Sequence, residues 1–247
     1  MKKNILITGA GKGIGMQVLF DCLNEFNFVY AVIKSKSDYN ILKKKLHKKN
    51  CKLYNGDISS RNLINKIIKN SNESNNKINC LVNNAGERQR ESFLNIDKKK
   101  IINIFKNNFF NHFYLMQDFV KNFKRYPNNY FSVVNIGSIV GINGFNELSG
   151  YASTKKAMDG LTKSLAVEYA EDKIRFNIIH PGFIKTSYYK KFKKNKKKLY
   201  NWTISRIPQK RWGEAKEVSS LVCFLLSDNS SYITGQSICV DGGWTAS

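Results

Sequence analysis

The chain is predicted to fold as a single α/β domain, a doubly wound parallel sheet of about seven strands with helices on both faces. Three observations predict it. Short apolar runs rich in β-branched and aromatic residues alternate with helical stretches along all 247 residues, the pattern of a parallel sheet covered on both sides. A glycine cluster follows the first of these runs at once, as where a strand turns sharply into a helix. No stretch rich in proline, glycine and serine divides the chain, and its length suits one domain with a substantial core. Right-handed crossovers with a chain reversal after the third strand bring the carboxyl ends of the strands to one crevice, so functional residues are expected just after the strands.

The expected strands are residues 4–8, 28–33, 51–55, 79–83, 130–137, 174–179 and 237–240, with helices between them. The first, carrying Ile5, Leu6 and Ile7, runs into Thr8-Gly9-Ala10-Gly11-Lys12-Gly13-Ile14-Gly15, and a helical pattern continues through Val18, Leu19, Cys22 and Leu23. Glycines let the chain turn tightly and bring backbone N–H groups close to a ligand, and the positive end of the new helix favours a phosphate. The turn reads as a dinucleotide pyrophosphate site, although its Gly-x-x-x-Gly-x-Gly spacing alone would equally serve an ordinary turn. After the second strand, Ile33-Lys34-Ser35-Lys36 offers no carboxylate to a ribose hydroxyl. Lys34 and Lys12 could instead pair with a 2′-phosphate, which favours NADP(H) over NAD(H), or simply belong to a lysine-rich surface. After the third strand, Asp57 and Ile58 could grip an adenine from edge and face, and Asp57 could also serve as a turn or cap residue. Asn83-Asn84-Ala85-Gly86 after the fourth strand could line a cleft or form a plain Asn/Gly turn.

Asn108 interrupts a long helical pattern that continues to about Phe123, and so poor a helix former in mid-helix suggests a specific task. The fifth strand delivers Ser138 to the crevice, where its hydroxyl could hold a substrate oxygen. Tyr151 and Lys155 follow on another helix, four residues apart and hence on one face. A nearby ammonium favours the phenolate, which would bring the tyrosine pKa down towards neutrality and make it a general acid and base. The same spacing also suits a plain amphipathic helix.

The formal charge of +23 is the unusual global feature. It suits acidic partners such as nucleic acid, anionic membranes, phosphorylated substrates or an acidic carrier protein, and equally a lysine- and asparagine-rich solvated coat. Five scattered cysteines without Cys-x-x-Cys spacing and three histidines (His47, His112, His180) give no disulfide framework and no metal site. Apolar runs are short of a membrane span, and the N-terminus enters the first strand without a signal-peptide region, so a cytoplasmic protein is expected.

Taken together, Thr8 to Gly15, Asn83-Asn84-Ala85-Gly86, Asn108, Ser138, Tyr151 with Lys155, Arg175-Phe176-Asn177, Pro181-Gly182-Phe183-Ile184-Lys185-Thr186 and Asp241-Gly242-Gly243 resemble the short-chain dehydrogenase/reductase family over essentially the whole chain. The resemblance implies a Rossmann-type fold and a catalytic set of Asn108, Ser138, Tyr151 and Lys155. Tyr151 would be the acid/base, Ser138 would orient the carbonyl, Lys155 would bind the nicotinamide ribose and lower the tyrosine pKa, and Asn108 would hold a water in a proton relay. Pro181, Gly182, Ile184 and Thr186 would lie at the nicotinamide, the last two at its carboxamide, and Asn83 at the adenosine-side ribose.

Within the family the chain most resembles the 3-oxoacyl-acyl-carrier-protein reductases of fatty acid biosynthesis, which implies a 3-oxoacyl thioester carried on acyl-carrier protein or CoA. Glu171-Asp172-Lys173 stands where these reductases tend to carry a docking arginine, whereas Lys124-Arg125 fits the other basic docking position. Arg88 and Arg90 point to the alternative of a keto-sugar or other anionic metabolite of surface-polysaccharide synthesis. A non-enzymatic binding protein on the same fold is the remote alternative. A lysine-rich segment of about residues 187–201, with Tyr188, Tyr189, Phe192 and Leu199, occupies the place of the family's substrate lid. A homo-oligomer, tetramer or dimer, is implied through the long helices and the last strand; no nucleic acid, membrane or metal is expected as a partner.

Overall fold

The computed structural model describes residues 3–47, 49–125, 130–187 and 189–247. Tyr188, expected in the lid, lies outside the described residues. Seven parallel strands form one sheet: β1 (Asn4–Thr8), β2 (Phe28–Ile33), β3 (Cys51–Asn55), β4 (Cys80–Asn83), β5 (Phe131–Ile136), β6 (Ile174–Pro181) and, last in the chain, β9 (Ser237–Val240). Their order, β3-β2-β1-β4-β5-β6-β9, reverses direction between β3 and β4 as expected, which leaves a crevice at the carboxyl ends of β1 and β4. The expected strand positions hold to within a residue or two at their ends. Two two-residue strands were not expected, β7 (Ile184–Lys185) and β8 (Gly213–Glu214); they pair with each other and tie the segment before the lid to the segment after it.

Alternate side chains of each strand enter opposite cores, the consequence of a period of two. Ile5, Ile7, Val29, Ala31 and Val82 face α1 (Gly13–Glu25), α2 (Lys36–Lys45) and α9 (Ala215–Leu226). Leu6, Tyr30, Val32, Leu81 and Val133 face α3 (Arg61–Asn72), α5 (Asn111–Phe123) and α6 (Ser149–Glu168). Because both faces are covered, the strands read as continuous apolar runs rather than as alternating ones. A third cluster, Ile139, Phe192, Ile207, Trp212 and Trp244, lies over the crevice and joins the lid helices α7 (Tyr189–Asn195) and α8 (Lys197–Arg206) to the body. Trp212 is its hub, with the rings of Phe183, Tyr189 and Phe192 each about 5 Å from it, centroid to centroid, at 5.3, 5.2 and 5.1 Å.

The contact between the first and last helices carries a buried carboxylate. Asp21 on α1 accepts from Gln17 Nε2 at 3.2 Å, from Lys216 Nζ at 2.9 Å and from the Ser219 hydroxyl. Burial pushes this carboxyl up, but the Ser219, Lys216 and Gln17 bonds outweigh it and leave the pKa below the usual value. Removing the carboxylate takes a partner from the Lys216 ammonium and leaves the buried Ser219 hydroxyl only the Lys216 carbonyl, at 3.2 Å. Asp21→Ala is therefore expected to lose about 1–3 kcal/mol, read as a lower urea midpoint at an unchanged slope, with Asp21→Asn losing less.

Candidate active site

The turn after β1 is stitched to the end of β4. Thr8 Oγ1 accepts from the backbone N–H groups of Asn84 and Ala85, at 2.9 and 3.1 Å, and Asn84 Nδ2 donates to the carbonyls of Thr8 and Gly9, at 3.1 and 3.0 Å. The approach leaves no room for a side chain: a Cβ on Gly15 would stand 2.3 Å from Asn84 Nδ2. Gly9 and Gly13 have φ of +66° and +57°, a left-handed backbone that favours glycine. Gly13 and Gly15 thus shape the turn, whereas Gly9, Gly11 and Lys12 line a cavity of about 450 Å³ in front of it.

Lys34, Asp57, Ile58, Ala85 and Gly86 line the same cavity, as expected from their places after the strands. Lys34 is tied to Asp57 at 2.8 Å and lies 3.6 Å from Glu87, so the cation crosses the cavity between two loops. Burial pushes the Asp57 carboxyl up, but Lys34 and Ser59 outweigh it and hold the pKa below the usual value. Asp57 also accepts from the Ser59 backbone N–H at 2.9 Å and so fills the turn role as well. Asp38, on the first turn of α2 and beyond the Ile33-Lys34-Ser35-Lys36 stretch, adds a carboxylate to the cavity that was not expected there. Asn83, expected at the adenosine-side ribose, turns its side chain into the sheet, donates to Asn135 Oδ1 at 2.8 Å and does not itself line the cavity.

A second cavity of about 410 Å³ shares Asn84, Gly86 and Glu87 with the first, so the two form one continuous cleft. Ile14, Ser138, Tyr151, Lys155, Pro181, Gly182, Ile184 and Thr186 line it, together with Arg88 and the aromatic residues Phe183, Tyr189, Phe192 and Trp212. The helix α6 presents Tyr151 and Lys155 side by side, with Lys155 Nζ 5.7 Å from the centre of the Tyr151 ring. The ammonium is buried and donates to the Ile136 carbonyl at the end of β5 at 2.8 Å. Burial brings its pKa down to about 8. The tyrosine departs from expectation. Burial raises its pKa above the ordinary phenol value, against the lowering effects of the Ser138 hydroxyl and of the Arg88 charge. Desolvation, which the spacing of Tyr151 and Lys155 does not reveal, outweighs the Ser138 bond and the Arg88 charge. Leu199 packs in the lid cluster and does not line the cavity, in contrast to Tyr189 and Phe192.

Asn108 lies in a π-helical turn (Lys106–Phe110) between α4 (Lys98–Phe105) and α5. Its buried amide clasps one residue of the cleft loop from both sides, accepting from the Glu87 N–H and donating to the Glu87 carbonyl, each at 2.8 Å. Such turns replace the normal ladder with one wider bond, and here the wider turn carries the amide that meets the loop. It supports the cleft and does not line either cavity. Two histidines with no expected role also support it. His112 Nε2 lies 2.7 Å from the Ala85 carbonyl, and Nδ1 lies 3.2 Å from Asn83 Oδ1. His180 Nδ1 accepts from the Ser138 backbone N–H at 3.2 Å, and its Nε2 faces Asp159 at 3.4 Å. Burial keeps both rings neutral, with the His112 pKa pushed down to about 4.

Neutral buried histidines tie stability to pH. An unfolded His112 binds its proton near pH 6.5 and the folded one only near 4, so stability is expected to fall as pH drops through that window. His112→Gln is expected to flatten the fall of the urea midpoint without abolishing it, because His180 contributes with the same sign.

Among the described residues there is no group of three or more His, Cys, Asp or Glu side chains positioned to hold a metal ion, and no helix is long and apolar enough to cross a membrane. A family model described as Enoyl-(Acyl carrier protein) reductase matches residues 9–245. The 3-oxoacyl-[acyl-carrier-protein] reductase FabG of Buchnera aphidicola subsp. Schizaphis graminum is 33% identical over 98% of this chain and 97% of its own. A tropinone reductase homolog of Datura stramonium is 35% identical over 97% of this chain and 91% of its own. Among solved structures, ElxO with NADP bound superposes with a TM-score of 0.91 at 29% identity, covering 100% of both chains. The crevice at the β1–β4 reversal, the glycine turn packed on Asn84 and the paired Tyr151 and Lys155 beside Ser138 agree with these matches: the chain belongs to the short-chain dehydrogenase/reductase family of NAD(P)-dependent oxidoreductases.

Proposed function

We propose that this protein reduces a ketone to a secondary alcohol with NADP(H), and that the single observation carrying this reading is the grouping of Ser138, Tyr151 and Lys155 on one cavity that opens into the glycine-turn cavity. The cleft fits a dinucleotide. Its turn is so closely packed that Gly9 and Gly11 have no room for a side chain, which lets a ligand approach the backbone, and the N-terminus of α1 favours a pyrophosphate. Lys34 and Lys12 would meet a 2′-phosphate, Asp57 and Ile58 the adenine, and Ile184 and Thr186 the carboxamide. Bound NADPH supplies the hydride.

The protein's own part is proton transfer and orientation. The phenol of Tyr151, whose pKa burial raises above the ordinary phenol value, donates its proton to the oxygen that gains charge as the carbonyl is reduced. The Ser138 hydroxyl, its main chain fixed by His180, bonds that oxygen and orients it. Lys155 supplies a positive charge within 5.7 Å of the ring centre, which stabilises the phenolate left behind. Asn108 would support a water-mediated return of the proton.

A 3-oxoacyl thioester, by likeness to the Buchnera reductase, is one substrate class. A compact ketone, by likeness to the tropinone reductase homolog, is the other, and two observations favour it. The reaction cavity is walled by aromatic rings, and Lys124 of the basic pair expected to dock a carrier protein is tied to Asp172 at 2.8 Å. We further propose a homo-oligomer through α5 and α6, supported by exposed Tyr114 and Val167 on those helices and by exposed Phe110 in the π turn just before α5.

Tyr151→Phe is expected to lose about a thousandfold or more of kcat for ketone reduction while binding NADPH as the wild type does. Undiminished turnover in this variant rules the tyrosine out as the acid. Lys34→Ala is expected to raise the KM for NADPH about tenfold and to leave that for NADH nearly unchanged. Equal effects on both cofactors would move the 2′-phosphate contact elsewhere.

A further inference from the structure

We propose that Asp159 and His180 form a positioning pair for Ser138. The carboxylate holds the ring in the tautomer protonated at Nε2, and the bare Nδ1 accepts from the Ser138 N–H and so sets the hydroxyl that meets the substrate carbonyl. The proposal rests on the reductase reading above and adds to it two residues that line neither cavity. Asp159 follows Tyr151 and Lys155 on α6 at the same four-residue spacing, so the three share one face of the helix. His180 reaches Ser138 from β6, across Gly137, which has no side chain to bar the ring.

Two bonds are open to the ring, and its surroundings choose between them. Nδ1 lies 3.2 Å from the Ser138 nitrogen and 3.0 Å from the Ser138 carbonyl oxygen, so its bond depends on which ring nitrogen carries the proton. The carbonyl already accepts from the Gly141 N–H at 2.9 Å, whereas the Ser138 N–H has no other acceptor among the described groups. A backbone donor left without an acceptor beside a buried ring is costly, which favours a bare Nδ1.

The other nitrogen gives the same answer. Nε2 is buried, has no hydrogen-bond partner among the described residues and faces Asp159 Oδ1 at 3.4 Å. A lone pair there would meet a carboxylate, which instead attracts an N–H. Burial pushes the Asp159 carboxyl up, but the Ser237 hydroxyl, Lys163 and Lys156 outweigh it and bring its pKa down to about 2, so the group is ionised. Both lysines meet Oδ2, at 3.3 Å each, and Ser237 of β9 meets Oδ1, which fixes the charge in place. Burial, helped by the Lys155 ammonium, keeps the ring from taking a second proton. The ring bond to its N–H and the Gly141 bond to its carbonyl hold the Ser138 backbone, and the backbone decides where the hydroxyl stands beside Tyr151.

The test reads the tautomer and the kinetics separately. Protein carrying isotopically labelled histidine, of which the chain has three, is studied by long-range proton–nitrogen NMR at neutral pH, with the His180 signals assigned by their absence in His180→Asn. The wild type is expected to show a protonated Nε2 and a bare Nδ1; a ring protonated at Nδ1 overturns the proposal. Asp159→Asn is expected to turn the single tautomer into a mixture, and an unchanged tautomer there overturns the role of the carboxylate. For the kinetics, NADPH is supplied with methyl benzoylformate, acetoacetyl-CoA or tropinone. His180→Leu is expected to lose about tenfold in kcat with the KM for NADPH within about twofold of the wild type. His180→Asn, whose amide oxygen can stand where Nδ1 stood, is expected to recover most of that loss. Leucine and asparagine variants that behave alike overturn the positioning role. A wild type that reduces none of the three ketones brings down the reductase reading, and the positioning role with it.

Discussion

The reactive end of this molecule depends on a buried ammonium. Lys155 lies almost wholly out of water, and its one hydrogen-bond acceptor among the described groups is the Ile136 carbonyl at the carboxyl end of β5. An unpaired cation in that position would be costly, so α6 must seat itself where this carbonyl is within reach. The seat is tight: a Cβ on Gly141 would stand 3.0 Å from the Lys155 Cβ, and one on Gly137 would stand 2.6 Å from the His180 ring. Small residues after β5 thus let the helix approach, the approach satisfies the lysine, and the lysine's position brings Tyr151 to Ser138.

Behind that contact stands a polar layer within an apolar sheet. Asn83, Asn135 and Thr162 form a chain of hydrogen bonds across β4 and β5 to α6, with links of 2.8 and 2.9 Å, and the neutral His112 ring, which can donate through one nitrogen only, lies between the Ala85 carbonyl at 2.7 Å and Asn83 Oδ1 at 3.2 Å. A buried chain of this kind is favourable only when every member is paired, and so it tolerates one arrangement of the loops it touches. It holds the cleft loop from below while Asn108 holds it at Glu87 and Thr8 holds it from the glycine turn. The loop that carries Asn84, Gly86 and Arg88 is thereby fixed on three sides, which is what lets one short stretch serve both halves of the cleft.

Much of this was readable in the chain. Strands buried on both faces are apolar runs bounded by turn residues, and runs such as Ile5-Leu6-Ile7 and Val133-Val134 announce themselves locally. Tyr151 and Lys155 lie within one helical turn, so their adjacency was also a local property. What could not be read depends on residues far apart in sequence. The resemblance implied Asn83 at the adenosine-side ribose, but Asn135 and His112, 52 and 29 residues away, draw its side chain inward. The raised Tyr151 pKa reflects desolvation in the folded cleft, and no spacing of residues encodes desolvation. Strands β7 and β8, two residues each, are too short to show a period. The π turn at Asn108 left one trace, an asparagine where a helix former belongs.

The most direct test of the account is transfer of the label from NADPH deuterated at the transferable nicotinamide position, with the alcohol product of a methyl ketoester analysed by mass spectrometry and proton NMR. The account predicts a product that carries one deuteron at the carbinol carbon and takes its hydroxyl proton from exchangeable protons. A product without the deuteron, or nucleotide consumed with no alcohol formed, would contradict it.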